Sequence, residues 1–141
     1  MPVQKAQPSG TPDTGFRFGR ILFRVAGIYG ILILAPQYFL ESRIGRDFPP
    51  AITHPENYYG FIGAALAWQI LYLLISGDPK RYRPVMIIGA FSKLSFVAAC
   101  IVLYLQGRLA ALILMFSGLD FILAMLFIIC YQITNPQKNI E

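Results

Sequence analysis

The chain has 141 residues, of which 56% are apolar and only 13% are charged. A soluble domain carries about 25% charged residues, so too few charges remain here to solvate the surface of an ordinary soluble fold. The net charge of +5 comes from Lys and Arg that flank apolar blocks, which favours contact with lipid headgroups over binding to nucleic acid. The composition therefore predicts an integral membrane protein whose partner is the lipid bilayer.

Residues 1–15 are polar and rich in Pro, Gly, Ser and Thr, a composition typical of a disordered tail. A helix needs about 20 mainly apolar residues to cross a bilayer, and four blocks within a transmembrane domain at 16–134 meet this requirement. The predicted helices are 21–40, 58–76, 85–105 and 109–131, followed by a polar tail at 135–141. The first block follows basic residues and lacks a small-residue cleavage site, so we expect an uncleaved anchor.

The predicted fold is an all-α bundle of four transmembrane helices. Every face of the four blocks is apolar, which excludes amphipathic surface helices. Only residues 106–108 join the third and fourth helices, and such a short turn forces them to be antiparallel neighbours. We expect the second, third and fourth helices to pack in sequence order. The longest connection, 41–57, contains three prolines and is predicted to be a loop.

Lysine and arginine are unevenly distributed between the two ends of the predicted helices. Eight lie on the side of the termini and the 77–84 connection, namely Lys5, Arg17, Arg20, Arg24, Lys80, Arg81, Arg83 and Lys138. Three lie on the other side, namely Arg43, Arg46 and Arg108. Because cytoplasmic loops carry the excess of positive charge, both termini are predicted to be cytoplasmic, in the inner membrane of a bacterium. The arginines and lysines at 17–24 and 80–83 are expected to contact lipid headgroups or a cytoplasmic partner.

Two of the predicted helices each contain one charged residue, Lys93 in the third and Asp120 in the fourth. A charge at the centre of a membrane helix costs about 2.5–3.5 kcal/mol, so the two residues need a reason to be there. Lys93 lies 14 residues before Gly107 and Asp120 lies 13 after it, which places them within about 1.5 Å of one depth. This register predicts an ion pair, and a similar count places Gln69 in the same polar layer.

The polar layer of Gln69, Lys93 and Asp120 has a structural and a functional interpretation. A neutralised pair can fix the register of packed helices. An intramembrane ionisable pair can also form a site for a proton, an ion or a substrate. A transporter usually needs a wider polar cavity and broken helices, whereas the second to fourth helices contain no interior proline. The structural interpretation is therefore favoured.

The connection at 41–57 holds the single histidine, His54, close to Glu56. A metal site needs three or four ligands, so one His and one Glu predict no metal, although His54 could act as a general base on a lipid headgroup. Cys100 and Cys130 lie in apolar blocks and are predicted to be buried small hydrophobic residues. No cofactor-binding motif is found in the sequence, and no cofactor is predicted.

Small residues recur at helical spacing in the first two predicted helices. Such residues let membrane helices approach closely, so they predict tight packing of these two helices or, alternatively, a surface for oligomerisation. The residues are Gly27, Gly30, Gly60, Gly63, Ala64 and Ala67. Pro36, near the end of the first helix, predicts a kink or the exit from the membrane.

Residues 58–108 resemble one class of small, uncharacterised bacterial inner-membrane proteins. The segments that carry the resemblance are YYGFIGAALAWQ (58–69), GDPKRYRP (77–84) and FSKLSF (91–96). Four helices, a short basic middle connection and a tight last hairpin make the layout similar to that of DoxX-like proteins. The resemblance covers about a third of the chain and implies the four-helix fold. DoxX-like proteins have been linked to redox complexes, but the residues here supply no cofactor ligands that carry this property over.

Three functions remain open from the sequence. The favoured hypothesis is a non-catalytic accessory or structural subunit of a larger membrane complex, or a homo-oligomer, because the helices are apolar and no catalytic constellation is found. The second is a small transporter or channel that uses Lys93 and Asp120. The third is a membrane enzyme that acts on a lipid or a quinone near His54 and Glu56.

Overall fold

The structure, a computed structural model, describes residues 14–49 and 51–135. Four helical segments in this part of the chain are long and apolar enough to cross a membrane, which confirms the predicted all-α membrane fold. The elements are α1 (Thr14–Leu34), a 3-10 segment (Ala35–Phe39), α2 (Glu41–Asp47), α3 (Pro55–Gly77), α4 (Arg83–Leu105) and α5 (Ala111–Ile133). The predicted tails fall largely on residues 1–13 and 136–141, which lie outside the described residues.

Both described ends of the chain meet at one end of the bundle. A β-carbon on Gly15 would sit 2.7 Å from the carbonyl oxygen of Ile133, and one on Gly19 would sit 2.9 Å from Pro79. α1 is already helical at Thr14, seven residues before its predicted start, and this packing holds its first described turns against the end of α5 and the connection before α4. The end that holds these contacts is called the termini end. The opposite end, with the 3-10 segment, α2 and the α4–α5 turn, is called the cap end.

The connection that the sequence predicts as a loop is largely helical, so the loop prediction is wrong. Pro36 has no N–H to donate to the carbonyl four residues before it, and the chain changes there from α1 into the 3-10 segment. α2 follows, with Arg43 Nε 3.4 Å from Asp47 Oδ2 one turn later. α3 begins at Pro55, a first helical position at which the missing N–H costs nothing.

The helices form two antiparallel hairpins. α1 packs closely along α3 and α4 packs closely along α5, whereas α3 and α4 approach each other less closely. Aromatic side chains occupy the wider space between α3 and α4, where the rings of Phe61 and Phe96 stack with centroids 6.3 Å apart. α4 and α5 therefore pack as predicted, and α3 also contacts α4, but its closest neighbour is α1 rather than α4.

The packed core lies towards the termini end. Phe23 of α1, Tyr72 of α3 and Phe127 of α5 are at most 1% exposed. Their ring centroids are 4.3 Å apart for Phe23 and Phe127 and 5.0 Å apart for Tyr72 and Phe127. The cluster therefore joins the two hairpins. Because lipid tails are as apolar as these rings, it stabilises the bundle through close van der Waals packing rather than through removal of surface from water.

The turn between α4 and α5 is a glycine-dependent helix end. Gly107 has a φ of 69°, in the left-handed region that favours glycine. Its N–H donates to the carbonyl of Tyr104 at 2.9 Å, and the N–H of Arg108 donates to the carbonyl of Leu103 at 2.9 Å. These two hydrogen bonds are those of a Schellman motif. They fix the reversal of the chain and therefore the register of α4 against α5.

Candidate functional site

One face of α4 packs on one face of α5 along a seam of buried residues. On α4 these are Met86, Gly89, Ala90, Val97 and Cys100, and on α5 they are Ser117, Ala124, Phe127 and Cys130. Spacings of three and four residues keep each series on one face of its helix. Lys93 lies between Ala90 and Val97 in the α4 series, and Asp120 lies between Ser117 and Ala124 in the α5 series, each at the same spacing. Helical periodicity therefore directs both charges into the seam.

Lys93 and Asp120 form the ion pair that the register predicts. Nζ of Lys93 donates a hydrogen bond to Oδ1 of Asp120. The Lys93 side chain is 13% exposed and the Asp120 side chain is 31% exposed, so the cation is the more deeply buried partner. Pairing avoids the isolated charges that would each cost about 2.5–3.5 kcal/mol at a helix centre.

Tyr72 of α3 is the third member of this site. The Nζ of Lys93 lies 5.7 Å from the centroid of the Tyr72 ring, within the range of a cation–π contact. Side chains of α3 lean towards its N-terminus, which brings the Tyr72 ring from the depth of Gly89 towards that of Lys93. A β-carbon on Gly89 would sit 3.1 Å from the ring, so this glycine provides the space. A count of residues along the chain gives the depth of Tyr72 but does not predict that its ring contacts Lys93.

Gln69 lies in a different interface from the ion pair. Its Nε2 donates to the carbonyl of Ala65 on its own helix at 3.0 Å, and its side chain packs against Gly30 of α1. Gln69 is only 7% exposed. The predicted layer of three residues is therefore an α4–α5 pair and a separate residue between α1 and α3. Counting along the chain gives depth but not the face of the helix, which is why the prediction placed Gln69 with Lys93.

The serines near the pair satisfy their hydroxyls on their own helices. Ser117 donates to the carbonyl of Leu114 at 2.7 Å, and Ser95 donates to that of Ser92 at 2.8 Å. In the described part of the chain, no buried side-chain nitrogen or oxygen is left without a hydrogen-bond partner. The polar groups around the ion pair therefore have hydrogen-bond partners within the protein.

Gly27 of α1 packs against α3, whereas three small residues of α3 are exposed. A β-carbon on Gly27 would sit 2.9 Å from the carbonyl oxygen of Gln69, so this glycine brings α1 close to α3. Gly60, Ala64 and Ala67 of α3 are exposed. A β-carbon on Gly60 would meet no atom of the described chain within 4 Å. These three residues, called the α3 strip, face away from the rest of the described molecule.

Among the residues predicted to contact headgroups or a partner, Arg83 makes its contacts inside the protein. Its Nε donates to the carbonyl oxygen of Tyr131 at 2.7 Å, and its guanidinium carbon lies 3.8 Å from the centroid of the Tyr131 ring. It therefore connects the start of α4 to the last turn of α5, where helix carbonyls attract cations. Lys80 and Arg81 are exposed on the neighbouring connection.

The other three predicted headgroup residues share one surface pocket at the termini end. Arg17, Arg20 and Arg24 line it together with Ile21 and Val25. Spacings of three and four residues place the arginines on one face of α1. They are all of the basic residues of α1, and the helix contains no acidic residue.

The cap end brings His54 and Glu56 together. Nδ1 of His54 lies 3.0 Å from Oε1 of Glu56, with the two side chains 71% and 68% exposed. Two tyrosines connect this region to the preceding segment by hydrogen bonds. The hydroxyl of Tyr58 donates to the carbonyl of Gln37, and that of Tyr59 donates to the carboxylate of Glu41, each at 2.7 Å. Within the described ranges, no group of three or more His, Cys, Asp or Glu side chains could hold a metal ion.

Comparison of the chain with protein-family models, curated proteins and solved structures returns no match. The DoxX-like resemblance therefore stays a prediction from the sequence. The ion pair, the α3 strip and the charged surfaces are the features of this molecule that bear on its function.

Proposed function

We propose that this protein is a non-catalytic accessory or structural subunit of a larger membrane complex, or a homo-oligomer. The observation that carries the proposal is the exposed α3 strip of Gly60, Ala64 and Ala67. In a bilayer, helices associate through close packing, and small residues permit the approach of a second backbone. α1 uses its own glycines against α3, whereas the α3 strip is exposed in the described chain and is open to a partner helix.

The Lys93–Asp120 pair supports a structural role in this proposal. Its two charges neutralise each other within the α4–α5 seam, and the ring of Tyr72 covers Lys93 from the other hairpin. A polar solute usually travels through a wider polar cavity built on broken helices. The groove between α1 and α5, by contrast, has an apolar lining. The pair is best understood as the element that fixes the register of α4 against α5, and the Tyr72 contact with Lys93 links this hairpin to the other one.

The proposed location is the inner membrane of a bacterium, with both termini in the cytoplasm. The start of α1, the connection before α4 and the end of α5 share the termini end, which also holds Arg17, Arg20, Arg24, Lys80, Arg81 and Arg83. Positive charge of this kind favours the cytoplasmic side. Alkaline phosphatase fused after residue 141 should be inactive and a fluorescent protein fused there should be bright. The reverse pattern would contradict this orientation.

The proposed association is tested by measuring the oligomeric state and the stoichiometric co-purifying polypeptides of the protein in native-lipid nanodiscs. Ala64→Leu combined with Ala67→Leu fills the strip and should release the partner or yield a monomer. Ala98→Leu combined with Ala99→Leu adds the same volume at exposed positions of α4 and should leave the assembly intact. A wild-type chain that is monomeric and without a stoichiometric partner would contradict the proposal.

A second candidate, a small transporter or channel that uses the Lys93–Asp120 pair, is favoured by one observation. The Asp120 side chain keeps 31% of its surface exposed although it is paired. An intramembrane carboxylate with such access is a candidate proton site. In proteoliposomes with a pH-sensitive dye, wild-type protein should then collapse an imposed proton gradient, and Asp120→Asn should abolish the flux without loss of fold. Equal gradient decay in vesicles with and without the protein would exclude a proton channel.

A further inference from the structure

A basic pocket and an apolar groove adjoin on the outer surface of α1. The pocket, lined by Arg17, Arg20 and Arg24, has a volume of about 330 Å³. The groove lies between α1 and α5 and has a volume of about 220 Å³. Val25 lines both of them, so the groove begins where the pocket ends. One continuous surface therefore changes from strongly cationic to apolar within about one helical turn.

The groove runs from the pocket towards the middle of the membrane. Its α1 side extends from Val25 to Tyr29, which is about 6 Å along the helix axis. Its α5 side is formed by Leu119, Ile122 and Leu123. These three side chains have the chemistry of a lipid tail, and the groove as a whole exposes almost no polar surface. The groove thus fits the first carbons of an acyl chain.

The three arginines are available to an anion. All three are exposed, and within residues 14–49 and 51–135 the ion pairs to carboxylates do not include them. Arg20 places its guanidinium 5.7 Å from the centroid of the Phe16 ring, which restricts where that side chain points. Guanidinium groups match phosphate oxygens in a bidentate geometry. A phosphate in the pocket would neutralise charges that otherwise repel one another.

We propose that the arginine pocket and the α1–α5 groove form a binding site for one anionic phospholipid. Its phosphate contacts the arginines, and one of its acyl chains lies in the groove past Val25. A free anion would use the pocket alone and an uncharged hydrocarbon would use the groove alone. Only an anionic amphiphile uses both surfaces in the order in which they occur along α1. This site does not depend on the proposed association through α3, which lies on another helix.

The test measures binding of phosphatidylglycerol to the full chain by native mass spectrometry from detergent micelles, with phosphatidylcholine of the same chain length as the comparison. Wild-type protein should retain one phosphatidylglycerol at least tenfold more strongly than phosphatidylcholine. Raising the ionic strength should weaken this preference because salt screens exposed charges. Equal retention of the two lipids would overturn the proposal.

Two variants separate the headgroup from the tail. Arg20→Gln with Arg24→Gln removes charge from the pocket, and Ile122→Trp fills the groove; each should weaken phosphatidylglycerol binding at least tenfold. Arg46→Gln with Arg108→Gln removes the same charge at the cap end and should have no effect. Inorganic phosphate at millimolar concentration should not displace the lipid. If phosphate displaces the lipid, or if Ile122→Trp binds like wild type, the groove does not hold an acyl chain and the lipid proposal fails.

A photolabelling experiment on the wild-type chain avoids any question of variant folding. Phosphatidylglycerol with a diazirine near the start of one acyl chain is incorporated into nanodiscs and irradiated, and the labelled peptides are identified. Label should concentrate at residues 25–29 and 119–123. Label spread evenly over the lipid-facing surfaces of α3 and α4 would overturn the proposal.

Discussion

The side-chain amide of Gln69 lies directly over Gly30, so closely that a single added carbon on this glycine would overlap it. The contact joins α1 to α3 at a depth where Gln69 is almost fully buried. A buried amide inside a membrane bundle needs hydrogen bonds and close packing at the same time. Its hydrogen bond to Ala65 holds the amide in place, and the absence of a side chain at Gly30 gives it room.

Gly30→Ala is therefore expected to destabilise the bundle. Forcing one carbon into a packed interface costs about 1–3 kcal/mol, while the better helix propensity of Ala returns up to about 1 kcal/mol. The free energy of unfolding, measured by titration with sodium dodecyl sulfate in mixed micelles, should fall by about 1–2 kcal/mol. Gly118→Ala on α5, where a β-carbon meets nothing within 4 Å, should be neutral or stabilising. If both variants behave alike, the Gln69 contact does not restrict position 30.

The ion pair is expected to show strong coupling in a double-mutant cycle. Lys93→Met leaves the Asp120 carboxylate without a counter-charge, and Asp120→Leu leaves the Lys93 ammonium without one. Each single change should lower the free energy of unfolding by about 3 kcal/mol. The double variant replaces the pair with apolar groups and should lie within about 1 kcal/mol of wild type. Additive losses in the double variant would show that the two residues do not stabilise each other.

The sequence predicts how deep each polar residue lies along the bundle, but it does not predict which neighbouring helix its side chain faces. The short turn at Gly107 fixes how far Lys93 and Asp120 lie from one end, and a constant rise per residue converts that distance into depth. Gln69 has a similar depth but faces α1, because its orientation depends on which helices pack together. The sequence predicts both close pairings, α4 with α5 from the short turn at 106–108 and α1 with α3 from their small residues. It does not predict that α3 lies closer to α1 than to α4.

The cap end also lay beyond the sequence-based prediction. α2 has only seven residues, too few to produce a recognisable apolar period. Its position depends on tertiary contacts, such as the hydrogen bond from Tyr59 to Glu41 at 2.7 Å. Those contacts join residues 18 positions apart and appear only once α1 and α3 are placed side by side.

The Schellman turn predicts a cost for any side chain at position 107. Gly107→Ala forces an L-residue into the left-handed region at φ 69°, which costs about 1–2 kcal/mol. The free energy of unfolding in mixed micelles should fall by that amount. Gly77→Ala, at the end of α3 where a β-carbon meets nothing within 4 Å, is the matched control and should change stability little. An equal effect at both positions would mean that backbone conformation does not determine the loss.

Arg83 should contribute to stability, whereas its neighbour Arg81 should not. Arg83→Gln removes both the hydrogen bond to the Tyr131 carbonyl and the contact with its ring. A hydrogen bond to a charged group contributes about 1.5–3 kcal/mol, and partial exposure places the expected loss at the lower end of that range. Arg83→Lys should recover little of it, because an ammonium cannot stack on the ring while it donates to the carbonyl. Arg81→Gln, at an exposed position, should leave the unfolding free energy unchanged in the same titration. If instead Arg83→Lys matches wild type, only the charge of Arg83 matters, as expected for a residue that contacts lipid headgroups.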